Sequence, residues 1–297
     1  MSAEPTSGQG SAATAAGPGE LSSSRLPAPA WTLAAIAAGS LVILGTYLWV
    51  LTSQPATLGQ DLGHTTLGVM LGYLVGAVLI AAGTLPRIPR GIFALMPVAI
   101  ALNIVTGQVV GTMTPIPLYL DSLGTVLIGV LAGPAAGALT GILGNVIWGV
   151  TINPTVIAFT AGAAFIGAAA GWAARLGAFR ALWWAVLAGA IAGIPSGALG
   201  APVAAFLFGG GLGVGTGGVV ATLQAAGLEM LHATFAQSVV SDIADKALIF
   251  ALAFVVIWAL PRRLRSRYPF TGHSFTARAA RPAAQQTAPR SQAETAQ

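Results

Sequence analysis

Thr114-Pro-Ile-Pro-Leu-Tyr-Leu-Asp-Ser-Leu-Gly-Thr-Val-Leu-Ile-Gly-Val-Leu-Ala-Gly-Pro-Ala-Ala-Gly-Ala-Leu-Thr-Gly-Ile-Leu-Gly-Asn-Val-Ile-Trp-Gly-Val150 decides how the rest of the chain is read. The stretch is rich in Gly and Ala and carries a single charge, Asp121. It is long enough to cross a bilayer twice if it turns at Gly133-Pro134. An ionised carboxylate in hydrocarbon costs several kcal/mol, so Asp121 is expected to face protein or a water-filled cavity. A nearly apolar hairpin with one acid near its mouth is the wall of a membrane-embedded pocket, not a soluble core.

The whole chain has the same character. Of its 297 residues 55% are hydrophobic and 7% charged, and the mean hydropathy is +0.81. Soluble domains carry roughly 25% charged residues. The apolar runs are continuous, without the alternation of a β-barrel, so the expected class is an all-α, polytopic membrane protein. The absence of cysteine excludes disulfides and thiolate chemistry. A net charge of +5 and a pI near 10.4 raise the question of nucleic acid. The basic residues stand between and after the apolar runs, however, which is the pattern of topology signals, and no nucleic-acid partner is expected.

Outward from the hairpin, the apolar runs are Trp31–Leu51, Thr66–Leu85, Gly91–Gly111, Leu120–Ala132, Pro134–Val150, Thr155–Ala174, Leu182–Phe208 and Ala233–Leu260. The run Leu182–Phe208 reads as broken at Gly193-Ile194-Pro195 and again at Pro202. Residues 209–233 open on a Gly-rich stretch, read over Gly209–Gly218 as a flexible linker, and end on Glu229 and His232. Eight spans with both termini cytoplasmic place Arg25, Arg87, Arg90, Arg175, Arg180 and the C-terminal arginines inside. Asp61, Asp121, Glu229, Asp242 and Asp245 then lie outside, and Lys246 alone departs from the positive-inside rule. The expected organisation is a disordered tail over 1–29, two additional N-terminal helices over 30–90, a six-helix domain over 91–263 and a disordered basic tail over 264–297. No basic segment precedes a short apolar core at the N-terminus, so a secretory signal is not expected.

Three constellations bear chemistry. Gly133, Gly137, Gly141 and Gly144 are spaced for close helix approach in lipid. Asn145 and Trp148 follow one helical turn apart, close to Asn153; an amide and an indole together suit a planar polar ligand, although Trp148 also reads as an interfacial anchor. In Gln237-Ser238-x-x-Ser241-Asp242-x-x-Asp245-Lys246, positions 238, 241, 242 and 245 share one helical face. Ionisable residues in a span point to a functional site. Asp242 and Lys246 also stand in the favourable acid-before-base order of an i, i+4 pair, which leaves Asp245 and the serines to face a cavity. Glu229 and His232 read as part of a lid over the mouth, and Asp61 and His64 as solvated loop residues. One Glu-x-x-His without a second copy makes no metal site. The chain has no P-loop, no H-E-x-x-H and no G-x-S-x-G, so neither an enzyme nor a cofactor is expected.

Ala101-Leu102-Asn103, Pro117-Leu-Tyr-Leu-Asp-Ser-Leu-Gly-Thr125, Gly133-Pro134-x-x-Gly137-Ala138-Leu139-x-Gly141, Asn145 and Ser241-Asp-Ile-Ala-Asp-Lys246, in this order, resemble the substrate-binding S components of energy-coupling factor (ECF) vitamin transporters. The resemblance covers about Gly91–Arg263. It implies capture of a vitamin or similar small molecule from outside, and delivery through a transmembrane coupling subunit and two cytoplasmic ATPases. It places Asn145, Trp148, Asn153, Glu229, Ser241, Asp242 and Asp245 near an outward-facing pocket. Two features depart from the family. No clean Ala-x-x-x-Ala stands in Gly91–Gly111, where Ala94, Ala99 and Ala101 occur, and the first two helices lie outside the six-helix pattern. The alternatives are a membrane sensor that signals through a separate chain and a transporter driven by protons through Asp121, Asp242 or Asp245. Only Lys246 could answer a phosphate, so a neutral or cationic cargo is expected, and Trp148 and Tyr119 favour a heterocycle.

Overall fold

The computed structural model describes residues 29–53, 62–88, 90–113, 115–210, 214–261, 265 and 268. The expectations for the N-terminal tail to residue 28 with Arg25, for Asp61 and the His64 side chain, and for the C-terminal arginines other than Arg265 lie outside the described residues.

The described chain is all-helical, without a strand. Its helices are α1 (Ala30–Ser53), α2 (Leu62–Thr84), α3 (Met96–Met113), α4 (Leu123–Ala132), α5 (Pro134–Thr151), α6 (Thr160–Arg175), α7 (Leu182–Phe208), α8 (Val214–Ala225) and α9 (Met230–Ala259). A 3-10 turn over Pro154–Phe159 leads into α6. Five segments are long and apolar enough to cross a membrane: Ala30–Ser53, Leu67–Arg87, Arg90–Gly111, Pro154–Arg175 and Leu182–Ala205. Their outward faces carry bare Leu, Val, Ile and Trp side chains, among them Leu41, Val98, Ile191 and Trp183. Water would penalise so much exposed apolar area, whereas lipid does not. The chain has the build of a multi-pass membrane protein.

The interior is made where small residues let helices close on one another. Val126 and Val130 of α4, Ile166 and Ala170 of α6, and Ile249, Phe250 and Ala253 of α9 form the main core with Phe179. The α4–α5 turn is set by Gly133, whose φ of 97° only glycine adopts without strain, followed by Pro134 at the first helical position of α5. The α1–α2 hairpin lies against this bundle through α2. Ala77 meets Ala138, Ile142 and Ala164, while Val69 and Tyr73 meet Ala158, Ala161 and Val203.

Two expectations are corrected. The helix α7 runs unbroken through Pro195 and Pro202. Proline has no N–H to give the carbonyl four residues back, which for Pro202 is that of Ala198. Tyr47 of α1 supplies the missing donor, its hydroxyl lying 3.3 Å from the Ala198 oxygen. Neighbouring helices commonly satisfy the backbone that proline frees in a span. The Gly209–Gly218 stretch, read as linker, forms the helix α8 from Val214 onward. Tertiary contact outweighs its weak helix propensity: Gly215 lies on the backbone of Pro115 and Ile116, and Thr216 and Val220 are buried.

Candidate functional site

The helix α4 has 10 residues and rises about 15 Å, half of a hydrocarbon core about 30 Å thick. It is preceded by a non-helical segment, Pro115–Ser122, in which Leu120 takes a φ of 50°. Irregular backbone at membrane depth is tolerated only where protein satisfies its polar groups. Asp245 of α9 does so here. Its Oδ1 accepts from the N–H of Tyr119 at 3.0 Å and of Leu120 at 2.8 Å. The hydroxyl of Thr106 donates to the Leu120 carbonyl at 2.6 Å. Asn103 of α3 caps α4 from outside: its Oδ1 accepts from Gly124 N at 2.6 Å and its Nδ2 donates to Thr125 Oγ1 at 2.8 Å. Ser122, at the N-cap itself, makes no capping bond. Capping by Asn103 leaves Asp121 and Ser122 free of that duty.

The second oxygen of Asp245 accepts from Lys246 Nζ at 2.5 Å. The same ammonium stands 3.4 Å from Asp242 and 3.6 Å from Asp121, and 5.9 Å from the centre of the Tyr119 ring. Lys246 thus draws three carboxylates together. The side chain of Asp245 is wholly buried, that of Asp242 is 11% exposed and that of Asp121 33%.

A row of glycines on α7 holds α9 in register. A Cβ at Gly189, Gly193 or Gly197 would run into the backbone carbonyl of Lys246, Asp242 or Ser238 respectively. Each step of four along α7 answers a step of four back along α9, as antiparallel helices in contact require. Lys246, Asp242 and Ser238 also turn their side chains to the cavity described next.

That cavity, of about 150 Å³, lies among α2, α3, α5, α6, α7, α8, α9, the Pro154–Phe159 turn and the Pro115–Ser122 segment. Eight of the residues singled out from sequence line it: Tyr119, Asp121, Asn145, Trp148, Asn153, Ser238, Asp242 and Lys246. Asn145 Nδ2 donates to the Val156 carbonyl at 3.1 Å, and Asn153 Oδ1 accepts from Thr155 N at 3.2 Å and from Thr155 Oγ1 at 2.6 Å. The two asparagines therefore shape the turn that closes this wall. Trp148 is 6% exposed, with its ring over Gly107, so it faces inward and is not an interfacial anchor.

Three candidates lie elsewhere. Asp245 points to the Tyr119–Leu120 backbone instead of the cavity, because two N–H groups and an ammonium occupy its oxygens. Ser241 is buried and accepts from Gln237 Nε2 at 2.8 Å. Glu229 is exposed at the start of α9, 3.6 Å from His232. Among the described residues no group of three or more His, Cys, Asp or Glu is placed to hold a metal ion.

Four buried side-chain polar atoms lack a hydrogen-bond partner among the described residues: Tyr73 OH, Ser122 Oγ, Trp148 Nε1 and Arg87 Nε. The first three belong to residues that line the cavity. Native structures leave few such groups, each costing about 1–3 kcal/mol, and three of these four belong to residues around one cavity. Tyr73 escaped the sequence reading; its only signal was a phenol in the middle of the apolar run of α2.

The cavity lies at one end of the bundle. The helix α3 follows Arg90 and reaches the cavity at Gly107; α6 leaves it at Ala161 and ends on Arg175; α7 follows Arg180 and reaches it at Ser196. Arg87, whose Nη2 donates to Thr32 Oγ1 at 2.7 Å, stands at the opposite end with these arginines. Comparison of the chain with protein-family models, with curated proteins and with solved structures finds no match.

Proposed function

We propose that this chain is the substrate-capture subunit of an ATP-driven importer in the cell membrane. It binds a vitamin-like small molecule from outside and passes it to a transmembrane coupling subunit served by ATPases. The observation that carries this is the cavity, of about 150 Å³, lined by two carboxylates and an ammonium together with Asn145, Trp148 and Tyr73. The likeness of Pro117–Thr125, Gly133–Gly141 and Ser241–Lys246 to ECF S components supplies the rest. In this scheme α1, α2, α3, α4 with its leading segment, α5, α6, α7 and α9 make eight crossings. Both termini are cytoplasmic, α8 lies at the outer end, and the acid-lined cavity opens outward, opposite the arginines. The unwound segment before α4 gives the ligand a backbone-lined wall at membrane depth, a common device in transporters.

The test is native mass spectrometry of the purified full chain, with thermal melting against vitamins, nucleobases and cofactor precursors. A retained small molecule is expected, with stabilisation that grows as RT ln(1 + [L]/Kd). A chain that retains nothing and is stabilised by no compound refutes the capture function. A second function, proton-driven transport by the chain alone, is favoured by one observation, the three carboxylates around Lys246. Uptake into proteoliposomes under a proton gradient, without ATPases, would replace the first proposal with it.

A further inference from the structure

We infer that the ligand is an organic cation, a protonated amine or a positively charged nitrogen heterocycle, which sits on Asp121 and Asp242; this rests on the capture function proposed above. The inference starts from how the charges are used. Asp245 and Lys246 satisfy each other at 2.5 Å, and the remaining acceptor capacity of Asp245 goes to the N–H groups of Tyr119 and Leu120. That pair is neutral and structural. Asp121 and Asp242 are left with the same ammonium as their one ion-pair partner among the described residues, at 3.6 and 3.4 Å. Arg87, Arg90, Arg175 and Arg180 stand at the other end of the bundle, and His232 is exposed beside Glu229. The cavity wall thus holds two carboxylates more than its cation neutralises. In a low-dielectric wall this repels an anion and draws a cation.

The lining narrows the class. The cavity holds about 150 Å³ and is walled by Tyr73, Ile116, Trp148, Phe159 and Ile166 beside its carboxylates. Apolar and aromatic walls with a few polar groups suit an organic body. Among the described residues no group of three or more His, Cys, Asp or Glu is placed to hold a metal ion.

The experiment uses the purified full chain and sets of one- and two-ring nitrogen heterocycles. Each set contains the N-methylated cation, the neutral parent and the ring carboxylate, and binding is read by melting temperature and native mass spectrometry. Stabilisation is expected from cationic members only. Asp121→Asn and Asp242→Asn are each expected to weaken the bound cation about 100-fold while changing the neutral parent less than about 3-fold. Asp121→Glu should restore most of the loss, which a merely structural role for Asp121 would not do. The unliganded melting temperatures of the variants show that they are folded. Binding of neutral or anionic members with both asparagine variants unaffected overturns the cation assignment and leaves the capture function standing. Binding by no member of any set, together with no molecule retained on purification, overturns both.

Discussion

Replacing Gly197 by alanine tests whether the glycine row of α7 sets the geometry of the site. An ideal Cβ at Gly197 lies 2.7 Å from the carbonyl oxygen of Ser238 and 2.7 Å from the Cα of Val239, where ordinary contact begins at 3.4 Å. Both neighbours are backbone, so no side chain can swing away, and α7 and α9 must part by about 0.7 Å, the shortfall between those distances. Asp245 rides on α9, and its bonds to Tyr119 N and Leu120 N are 3.0 and 2.8 Å long. A displacement of that size takes them past the roughly 3.2 Å at which such bonds remain good. Overpacking of this kind costs about 1–3 kcal/mol, more than the 0.5–1 kcal/mol that alanine gains over glycine inside a helix. Gly45→Ala is the matched control, since nothing lies within 4 Å of a Cβ there. In melting assays of the purified protein, Gly197→Ala should be destabilised and should lose retained ligand, while Gly45→Ala should be neutral or stabilised. Equal melting temperatures and equal retention for the two would refute the claim that this row positions Ser238, Asp242 and Lys246.

Tyr73→Phe removes a buried hydroxyl without a partner among the described residues, so the protein should gain about 1 kcal/mol; a fall in melting temperature would contradict this. Tyr47→Phe should cost about 1 kcal/mol because the Ala198 carbonyl loses its donor, and Pro202→Ala in the same chain should recover the loss by restoring the helical N–H; thermal melting of the single and double variants checks both. Asp245→Asn leaves Lys246 without its nearest counter-charge and should cost about 3–5 kcal/mol, seen as lost monodisperse yield, with Lys246→Met partly rescuing it. Asn103→Ala removes the acceptor that caps α4 and should cost about 1–2 kcal/mol, and Asn103→Asp, which keeps that acceptor, should cost less by the same melt.

Five of the eight expected spans, and the placing of arginines between apolar runs, were legible because both are properties of the chain taken in order. A run of about 20 apolar residues is a span wherever it falls, and arginines between such runs mark one side. Asp121, Asp242 and Lys246 were legible as site candidates for a related reason, namely that charged groups within apolar runs are costly. The rule cannot say which group a costly residue serves. Asp245 and Asp242 stand in the same sequence context, yet Asp245 is bound to the backbone of the segment before α4 and Asp242 faces the cavity. The spacing of Gly189, Gly193 and Gly197 was a signal in plain view, but what the glycines touch depends on the register of α9.

The sequence by itself determined that the chain is all-helical with several runs long and apolar enough to span a membrane, because hydropathy acts residue by residue along the chain. Only the tertiary structure decided that Pro115–Ser122, ahead of α4, is an unwound segment held by a carboxylate from the far end of the chain. It also decided that Tyr73 of α2 lines the same cavity as Trp148. The physical reason is that hydrogen bonds and close approaches are properties of pairs. Which N–H finds which oxygen, and which indole is left without a partner, is settled only when distant helices close on one another.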